Sequence, residues 1–281
     1  MIVPCLWPGQ TVAIIASGPS ATRRQAMMAR SFARVIVINN SWQLAPHADL
    51  LYACDSKWWN AYRPAFRGIR ITHAQQASRW GCRRVRGVKR RGLSMSPERL
   101  HTGGNSGYQA LNLAVLMGAA RILLIGFDMH GQHWHGNHVG MANPEAQTFQ
   151  KWIAAFRTTT TDLRRAGVEV WNCTPGSKID CFPRAPLEAF RATNRLRRPR
   201  GENIAALRRR LRAGLRRRGR NDWRSAARPV GRFRVKPDVA GLDAGTTAGT
   251  RLVVRRPRLL RPWRVVPRYP QRISAQWTRA R

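Results

Sequence analysis

Paired cysteines are missing from this 281-residue sequence, and so is any hydrophobic run of membrane-spanning length. Its five cysteines are odd in number and show no CxxC spacing, which argues against a disulfide framework and against a zinc knuckle. No apolar run approaches the roughly 18 residues that a transmembrane helix needs. The opening MIVPCLWPGQ lacks the basic and long apolar regions of a secretory signal. We therefore expect a reduced, cytoplasmic protein.

Acidic residues are scarce, and the resulting positive charge is unevenly distributed along the chain. The sequence holds 51 Lys and Arg against 13 Asp and Glu, a net charge of +38. Residues 1–190 have a net charge of +14 and contain every histidine and cysteine, whereas residues 191–281 have a net charge of +24. We expect a folded domain over residues 1–190. The Arg-rich tail over 191–281, with one amphipathic helix near 204–215, is expected to be largely disordered because it buries too little apolar surface.

Short apolar runs alternate with longer amphipathic segments through the first part. The runs are rich in Val, Ile and Leu without strict alternation, as expected for parallel strands covered on both faces. We predict strands at 12–16, 34–38, 50–53, 69–72, 121–125 and 168–171, and helices over 106–117 and about 144–165. The basic stretch 79–99 shows no period and is predicted to be a surface loop or lid. This alternation predicts a Rossmann-like, doubly wound α/β domain with a mostly parallel sheet.

Small or polar residues follow the predicted strands. They are Ser17, Gly18, Pro19 and Ser20 after the first strand, Asn39, Asn40 and Ser41 after the second, Asp55 after the third, Gly126 and Asp128 after the fifth, and Asn172 after the sixth. The carboxyl ends of parallel strands meet at one edge of a sheet, where ligands bind in this class of fold. Any one of these turns is better explained by the ordinary preference of such residues for turns. The whole set, however, predicts a ligand crevice.

Two glycine-containing turns are candidate anion sites. In SGPS, Gly18 lets the backbone approach a ligand, and the amides near Ser20 can point at an anion. The segment GGNSG, residues 103–107, places free amides at a predicted helix start; a flexible lead-in capped by Asn105 or Ser106 explains it equally well. A three-glycine dinucleotide fingerprint and a Walker lysine are both missing. We therefore expect a mononucleotide or nucleotide-sugar rather than NAD.

Four histidines, His130, His133, His135 and His138, fall within nine residues just past the predicted crevice. Histidine titrates near neutrality, so one of them within reach of a hydroxyl group can act as a general base. The cluster could instead hold a divalent metal ion together with Asp128, or be a polar loop with no chemistry.

The order of the motifs IIASGPS, VIVINNSWQLAPHADLLYACDSKWW, GGNSGYQALNLAVLMGAARILLIGFDM and GVEVWNCTPGS resembles a group of phage- and prophage-encoded proteins called "norphogenetic". It also resembles the bacterial family 42 sialyltransferases and, more distantly, the Rossmann-like family 115 domain that includes hydroxymethyl-pterin diphosphokinases. The resemblance covers roughly residues 10–185. It implies a phage- or prophage-encoded protein of a bacterial host.

The sialyltransferase resemblance implies roles for the residues that match its motifs. Nucleotide contacts fall on Gly18, Pro19 and Ser20, on Asn39 or Asn40, and on Ser106 and Gly107, while Gly126 and Asp128 match a Gly-x-Asp motif. The implied catalytic base is a histidine after Asp128, with His138 as first choice and His135 as second. The family's pair of tyrosines that steady the departing phosphate has no counterpart in this sequence. Arg83, Arg84, Lys89 or Arg90 of the basic stretch are expected to supply that charge instead.

The leading hypothesis is a nucleotide-dependent transferase, a glycosyltransferase with a CMP-sugar donor and a glycan-like acceptor. Backbone amides and Ser20 would hold the phosphate, Asn40 and Asp55 would orient the nucleoside, and His138 would deprotonate the acceptor hydroxyl. A diphosphokinase would use the same nucleotide-binding residues but require Mg²⁺ on Asp55 or Asp128. A third hypothesis is a non-enzymatic phage protein whose basic tail binds nucleic acid without sequence preference. Alternatively, the tail is an unselected, out-of-frame extension.

Overall fold

A parallel sheet of seven strands forms the centre of the computed structural model, which describes residues 1–138 and 140–191. The strands are β1 (Thr11–Ile15), β2 (Arg34–Ile38), β3 (Leu50–Tyr52), β4 (Ile69–Thr72), β5 (Arg83–Arg84), β6 (Arg86–Val88), β7 (Arg99–His101), β8 (Arg121–Ile125) and β9 (Glu169–Asn172). Their order in the main sheet is β5-β4-β3-β2-β1-β8-β9, and β6 pairs with β7 separately. The predicted α/β class with a parallel sheet is confirmed.

The winding of the sheet reverses at β1. From β1 the chain adds β2, β3, β4 and β5 outward in one direction, and then returns to place β8 and β9 on the other side. The register aligns Val12 with Arg34 of β2 and with Ile122 of β8, so the three central strands end at the same level. A reversal of this kind opens a crevice at the carboxyl ends of the two strands that flank it.

Helices cover both faces of the sheet. They are α1 (Arg23–Phe32), α2 (Ser56–Tyr62), α3 (Ser106–Leu116), α4 (Ala146–Arg157) and α5 (Thr160–Ala166), with 3-10 turns at Asn39–Gln43, Ala77–Trp80 and Leu187–Phe190. Alternate residues of β1 face opposite cores: Val12 and Ile14 pack in the core shared with α3 and α4, while Ala13 and Ile15 pack in the core shared with α1 and α2. Both sets are buried, which explains the unbroken apolar runs.

The single helix predicted over 144–165 is two helices. The break between α4 and α5 falls on Thr158 and Thr159, whose hydroxyls donate to the carbonyls of Ala155 and Phe156 at 2.7 Å. Their backbone amides donate to those same carbonyls, three residues back, instead of four. Consecutive threonines that bond locally in this way compete with the helical ladder and interrupt it.

The prediction of a loop or lid over 79–99 is wrong. The stretch contains β5 and β6, and its later half is held against α3 by the buried side chain of Asn112. The Asn112 amide oxygen accepts from the backbone amides of Ser94 at 3.0 Å and His101 at 2.9 Å, and its nitrogen donates to the Ser94 carbonyl at 2.9 Å. The composition of residues 79–99 does not indicate this anchoring, because Asn112, the residue that holds the segment, lies on α3.

Other features of the sequence analysis have mixed outcomes. The predicted disorder and helix of the tail lie outside the described residues, which end at residue 191. All five cysteines lie among the described residues, and none is in a disulfide. None of the described helices combines the length and apolar composition needed to cross a bilayer.

Replacing Asn112 with Ala should lower the free energy of unfolding by about 2–4 kcal/mol, because it leaves two amides and a carbonyl buried without partners. Urea denaturation measures this change. Gln150→Ala, on the exposed face of α4, is the matched control and should change stability by less than about 0.5 kcal/mol. Equal effects of the two substitutions would show that Asn112 does not anchor the segment.

Candidate functional site

A cavity of about 280 Å³ lies at the carboxyl ends of the central strands, where the winding reverses. Its lining includes the predicted site residues Gly18, Asn39, Asp55, Ser106, Gly107, Asp128 and His138. Four other predicted residues, Pro19, Ser20, Asn40 and His135, do not line it. The structure therefore brings most of the predicted set to one crevice and leaves the remainder outside its lining.

The SGPS turn holds a carboxylate of the chain itself. The backbone amide and hydroxyl of Ser20 donate to the two oxygens of Asp128 at 3.3 and 2.9 Å. A Cβ on Gly18 would collide with this carboxylate, so the glycine makes room for Asp128. Burial raises the pKa of Asp128, and the Ser20 hydrogen bonds offset part of that effect. The anion-binding groups that the sequence assigned to a phosphate are engaged within the protein.

The start of α3 is the more open anion site. Asn105 caps the helix by accepting from the Tyr108 amide at 2.8 Å, and Ser106 is fixed because its hydroxyl accepts from the Cys54 amide at 3.1 Å. Within the described chain, the amides of Ser106 and Gly107 and the buried side-chain nitrogen of Asn105 have no hydrogen-bond partner. Three unpaired donors at the positive end of an 11-residue helix favour a negatively charged group.

Asn39 lines the cavity on the side opposite the start of α3, and two features of this residue cost stability. Its φ of 48° is in the left-handed region, and its buried side-chain oxygen has no partner among the described residues. A buried acceptor without a partner costs stability, as does left-handed backbone at a residue other than glycine. Such costs cluster where a ligand completes the bonding. Asn39 lines the cavity, which makes it a candidate for contact with a ligand there.

Asn40 instead lies outside the lining of the cavity. Its side-chain oxygen accepts from the indole nitrogen of Trp58 at 2.7 Å, which fixes the orientation of the amide. Its nitrogen then faces Nδ1 of His135 at 3.5 Å. Asn40 thus positions an aromatic ring and a histidine.

Three of the four clustered histidines form a triangle of rings. The ring centroids of His133 and His135 are 5.2 Å apart, those of His133 and His138 4.8 Å, and those of His135 and His138 4.9 Å. His130 is exposed at the cavity mouth. Close packing of three imidazoles disfavours a positive charge on any of them.

Hydrogen bonds to the chain assign the ring protons. Nδ1 of His133 faces the Ser17 carbonyl at 3.3 Å, so it carries the proton, and Nε2 is left unprotonated. Nδ1 of His135 accepts from Asn40, so its Nε2 carries a proton that is buried without a partner. Nδ1 of His138 lies 2.8 Å from the hydroxyl of Tyr62, which can stabilise either tautomer. His133 and His138 line the cavity and are the candidate bases; His135 is less suited to that role.

Burial favours the neutral form of His133, His135 and His138. Burial, followed by the neighbouring histidines, lowers the pKa of both His135 and His138 to about 4. Burial also lowers the pKa of His133. A neutral imidazole can accept a proton, and a nearby phosphate would raise its pKa toward the range useful for catalysis.

The two acidic residues of the crevice already serve the fold. Asp55 caps α2 by accepting from the Lys57 amide at 2.7 Å, and both oxygens of Asp128 are bonded to Ser20. Among residues 1–138 and 140–191, no three or more His, Cys, Asp or Glu side chains are grouped where they could hold a metal ion.

Several contributors escaped the sequence analysis. Tyr62 comes from the unpredicted helix α2, and Phe149 and Trp152 of α4 form an aromatic wall, with ring centroids 5.7 Å apart. Asn172, predicted at the crevice, is buried elsewhere and orders its own turn by accepting from the Thr174 amide at 3.1 Å. Arg83 and Arg84 lie on β5, at the far edge of the sheet. The sequence did contain a pattern that predicts this aromatic wall, because aromatic residues three or four positions apart, such as Phe149 and Trp152, lie on one side of a helix.

Comparison with known proteins adds no relative. No model of a protein family matches the chain, and no curated protein matches it.

Substitutions at Asn39 should reveal the cost of its backbone conformation. Asn39→Gly removes the unpartnered amide and relieves the left-handed strain, whereas Asn39→Ala removes the amide but keeps a Cβ. The glycine variant should therefore be more stable than the alanine variant by about 1 kcal/mol, and at least as stable as the wild type. Thermal unfolding of the three proteins measures this. An alanine variant as stable as the glycine variant would argue against strain.

Stability should fall as the pH drops from about 6.5 toward 4. In that window the unfolded state binds protons at histidines that stay neutral in the folded state, so protonation favours unfolding. A His135→Gln/His138→Gln double variant should lose less stability over the same interval. Urea denaturation at a series of pH values gives the comparison, and Asp128 contributes equally to both proteins. Parallel pH profiles would contradict the assigned pKa values.

Proposed function

We propose that this protein is a nucleotide-dependent transferase that uses a nucleotide-sugar donor, with a CMP-sugar as the first candidate. The observation that carries the proposal is one cavity lined by residues with unpartnered polar groups: those at the start of α3 on one side and Asn39 on the other. Donors at a helix start suit a phosphate, and an amide oxygen suits an amino or hydroxyl group of a nucleoside.

The donor phosphate is placed at Ser106 and Gly107. The helix dipole and the two free amides stabilise charge there without reorganising, which is the form of electrostatic stabilisation that contributes most to catalysis. Asn39 and Asp55 lie on the side of the crevice formed by β2 and β3 and face the nucleoside. The aromatic wall of Phe149 and Trp152 is left for the sugar or the acceptor.

His138 is the proposed base. Its Nε2 accepts the proton of an acceptor hydroxyl while the hydroxyl oxygen forms a bond to the anomeric carbon of the sugar. The bond between that carbon and the phosphate oxygen breaks, and its electron pair leaves with the nucleotide phosphate at the start of α3. The step uses the tautomer in which the Tyr62 hydroxyl accepts from Nδ1, so that Nε2 is unprotonated. His133 is the alternative base, since its tautomer already leaves Nε2 free.

The Mg²⁺-dependent diphosphokinase is the weaker alternative. Its metal ion would require Asp55 or Asp128, and both carboxylates accept hydrogen bonds that order the chain. Displacing those bonds would cost stability at an N-cap and at the SGPS turn.

Calorimetric titration with CMP, UDP and ATP, each with and without Mg²⁺, tests the donor site. We expect CMP to bind with an affinity that Mg²⁺ does not change, because the proposed contacts are amide donors. Asn105→Ala should weaken CMP binding by about tenfold by removing a donor to the phosphate. Mg²⁺-dependent ATP binding would favour the diphosphokinase, and failure to bind any nucleotide would exclude both functions.

Substitution of the histidines tests the base. With a CMP-sugar and a panel of glycan acceptors, His138→Gln should lower kcat by about 10²–10⁴-fold, with the Kd for CMP changed less than about twofold. His135→Gln is the matched control from the same triangle, and it should retain most activity because His135 does not line the cavity. If only His133→Gln abolishes turnover, His133 is the base; turnover unaffected by all three substitutions would contradict histidine catalysis.

A further inference from the structure

A second cavity, of about 400 Å³, opens on the outer part of the sheet beyond α2. It exists because the connection from β4 to β5 contains only the four-residue 3-10 turn Ala77–Trp80 instead of a covering helix. Arg70 of β4 therefore projects from the face that α2 covers farther in, while its neighbours Ile69 and Ile71 pack in the opposite core. A volume of this size is in the range of small-molecule sites.

The lining of this cavity is cationic. It includes Arg63, Arg70 and Arg79 and no acidic residue. In the part of the chain that the structure describes, none of these three arginines forms an ion pair. A Cβ on Gly81 would lie 3.1 Å from Nη2 of Arg70, so the turn after the 3-10 helix approaches the guanidinium head closely. Three unpaired guanidinium groups around one cavity favour a phosphate-bearing ligand, because their donor forks match phosphate oxygens.

Two tryptophan rings that are held in place also line this cavity. The rings of Trp59 and Trp80 stack with centroids 6.1 Å apart and an interplanar angle of 17°. The indole nitrogen of Trp59 donates to the Ala53 carbonyl at 3.1 Å, and that of Trp80 donates to the Asn60 side chain at 2.9 Å. Trp80 is only partly buried, so its ring is both held in place and accessible. A planar base can stack on such a ring at little entropic cost.

We propose that this cavity is a nucleotide-binding site separate from the crevice, in which a base stacks beside Trp80 and its phosphate pairs with Arg63, Arg70 and Arg79. Phosphate alone would leave the aromatic surface unused, and an uncharged aromatic ligand would leave three guanidinium groups unpaired. The nucleotide unit satisfies both. It is either a free nucleotide or one unit of a single-stranded nucleic acid, and the net +14 of residues 1–190 would attract either.

The full-length protein labelled with ¹⁵N provides a direct readout, the indole N–H resonance of Trp80, assigned with Trp80→Phe. The probes are thymidine 5′-monophosphate, a 5′-phosphorylated trithymidylate and inorganic triphosphate, all at one salt concentration. We expect both thymidine probes to shift this resonance and inorganic triphosphate to bind at least about tenfold more weakly. Equal affinity of the two thymidine probes identifies a free nucleotide, and tenfold tighter binding of the strand identifies nucleic acid. Equally tight binding of inorganic triphosphate would overturn the stacked-base proposal.

A pair of double variants separates this cavity from general charge attraction. Arg63→Gln/Arg79→Gln should weaken the Trp80 response by about tenfold, because both side chains are exposed, line the cavity and support nothing else. Arg24→Gln/Arg165→Gln removes the same charge from exposed positions elsewhere and should weaken it less than about twofold. Equal weakening by the two double variants would refute the site. The Asn39→Ala protein should keep the Trp80 response, so this test and the test of the crevice can fail independently.

Discussion

Parallel pairing of β1 with β8 is the contact on which the crevice depends. It joins segments more than 100 residues apart and sets the two strands in register from Thr11 with Arg121 to Ile15 with Ile125. The turns that follow then meet, so that Ser20 donates to Asp128 and the histidine loop after Asp128 lies over the ends of β1 and β2. The start of α3 lines the same crevice. It reaches the crevice because α3 packs on β1 and β2 from the face of the sheet opposite α1 and α2.

Polar side chains around the crevice are shielded from water, and this burial costs folding free energy. Several polar groups of residues that line the crevice are buried without partners, including the Asn39 oxygen and the Asn105 nitrogen. Burial, followed by neighbouring histidines, lowers the pKa of His135 and His138. Each feature costs folding free energy. Apolar cores lie on both faces of the sheet. Costly buried polar groups of this kind are frequent at ligand sites.

Aromatic residues of α2 link the two cavities. Trp58 is bonded to Asn40 and lines the crevice, while the next residue, Trp59, stacks on Trp80 and lines the outer cavity. Tyr62, one turn farther, contacts His138. This seven-residue helix was not predicted because it is too short to show a clear period, yet it supplies a wall to both cavities.

The sequence by itself determined the α/β class, the six strands that were predicted and the edge of the sheet where polar residues gather, because strand burial and strand termination are encoded locally in apolar runs and turn residues. It did not reveal the small strands β5, β6 and β7. They are only two or three residues long, β5 pairs with β4, and β7 is bonded to α3 through Asn112. Only the tertiary structure decided that Ser20 binds Asp128, that the start of α3 is left open, and that His133 and His138 face the cavity while His135 does not. Each of these outcomes depends on which donor meets which acceptor across distant segments, and the spacing of residues along the chain carries no information about that.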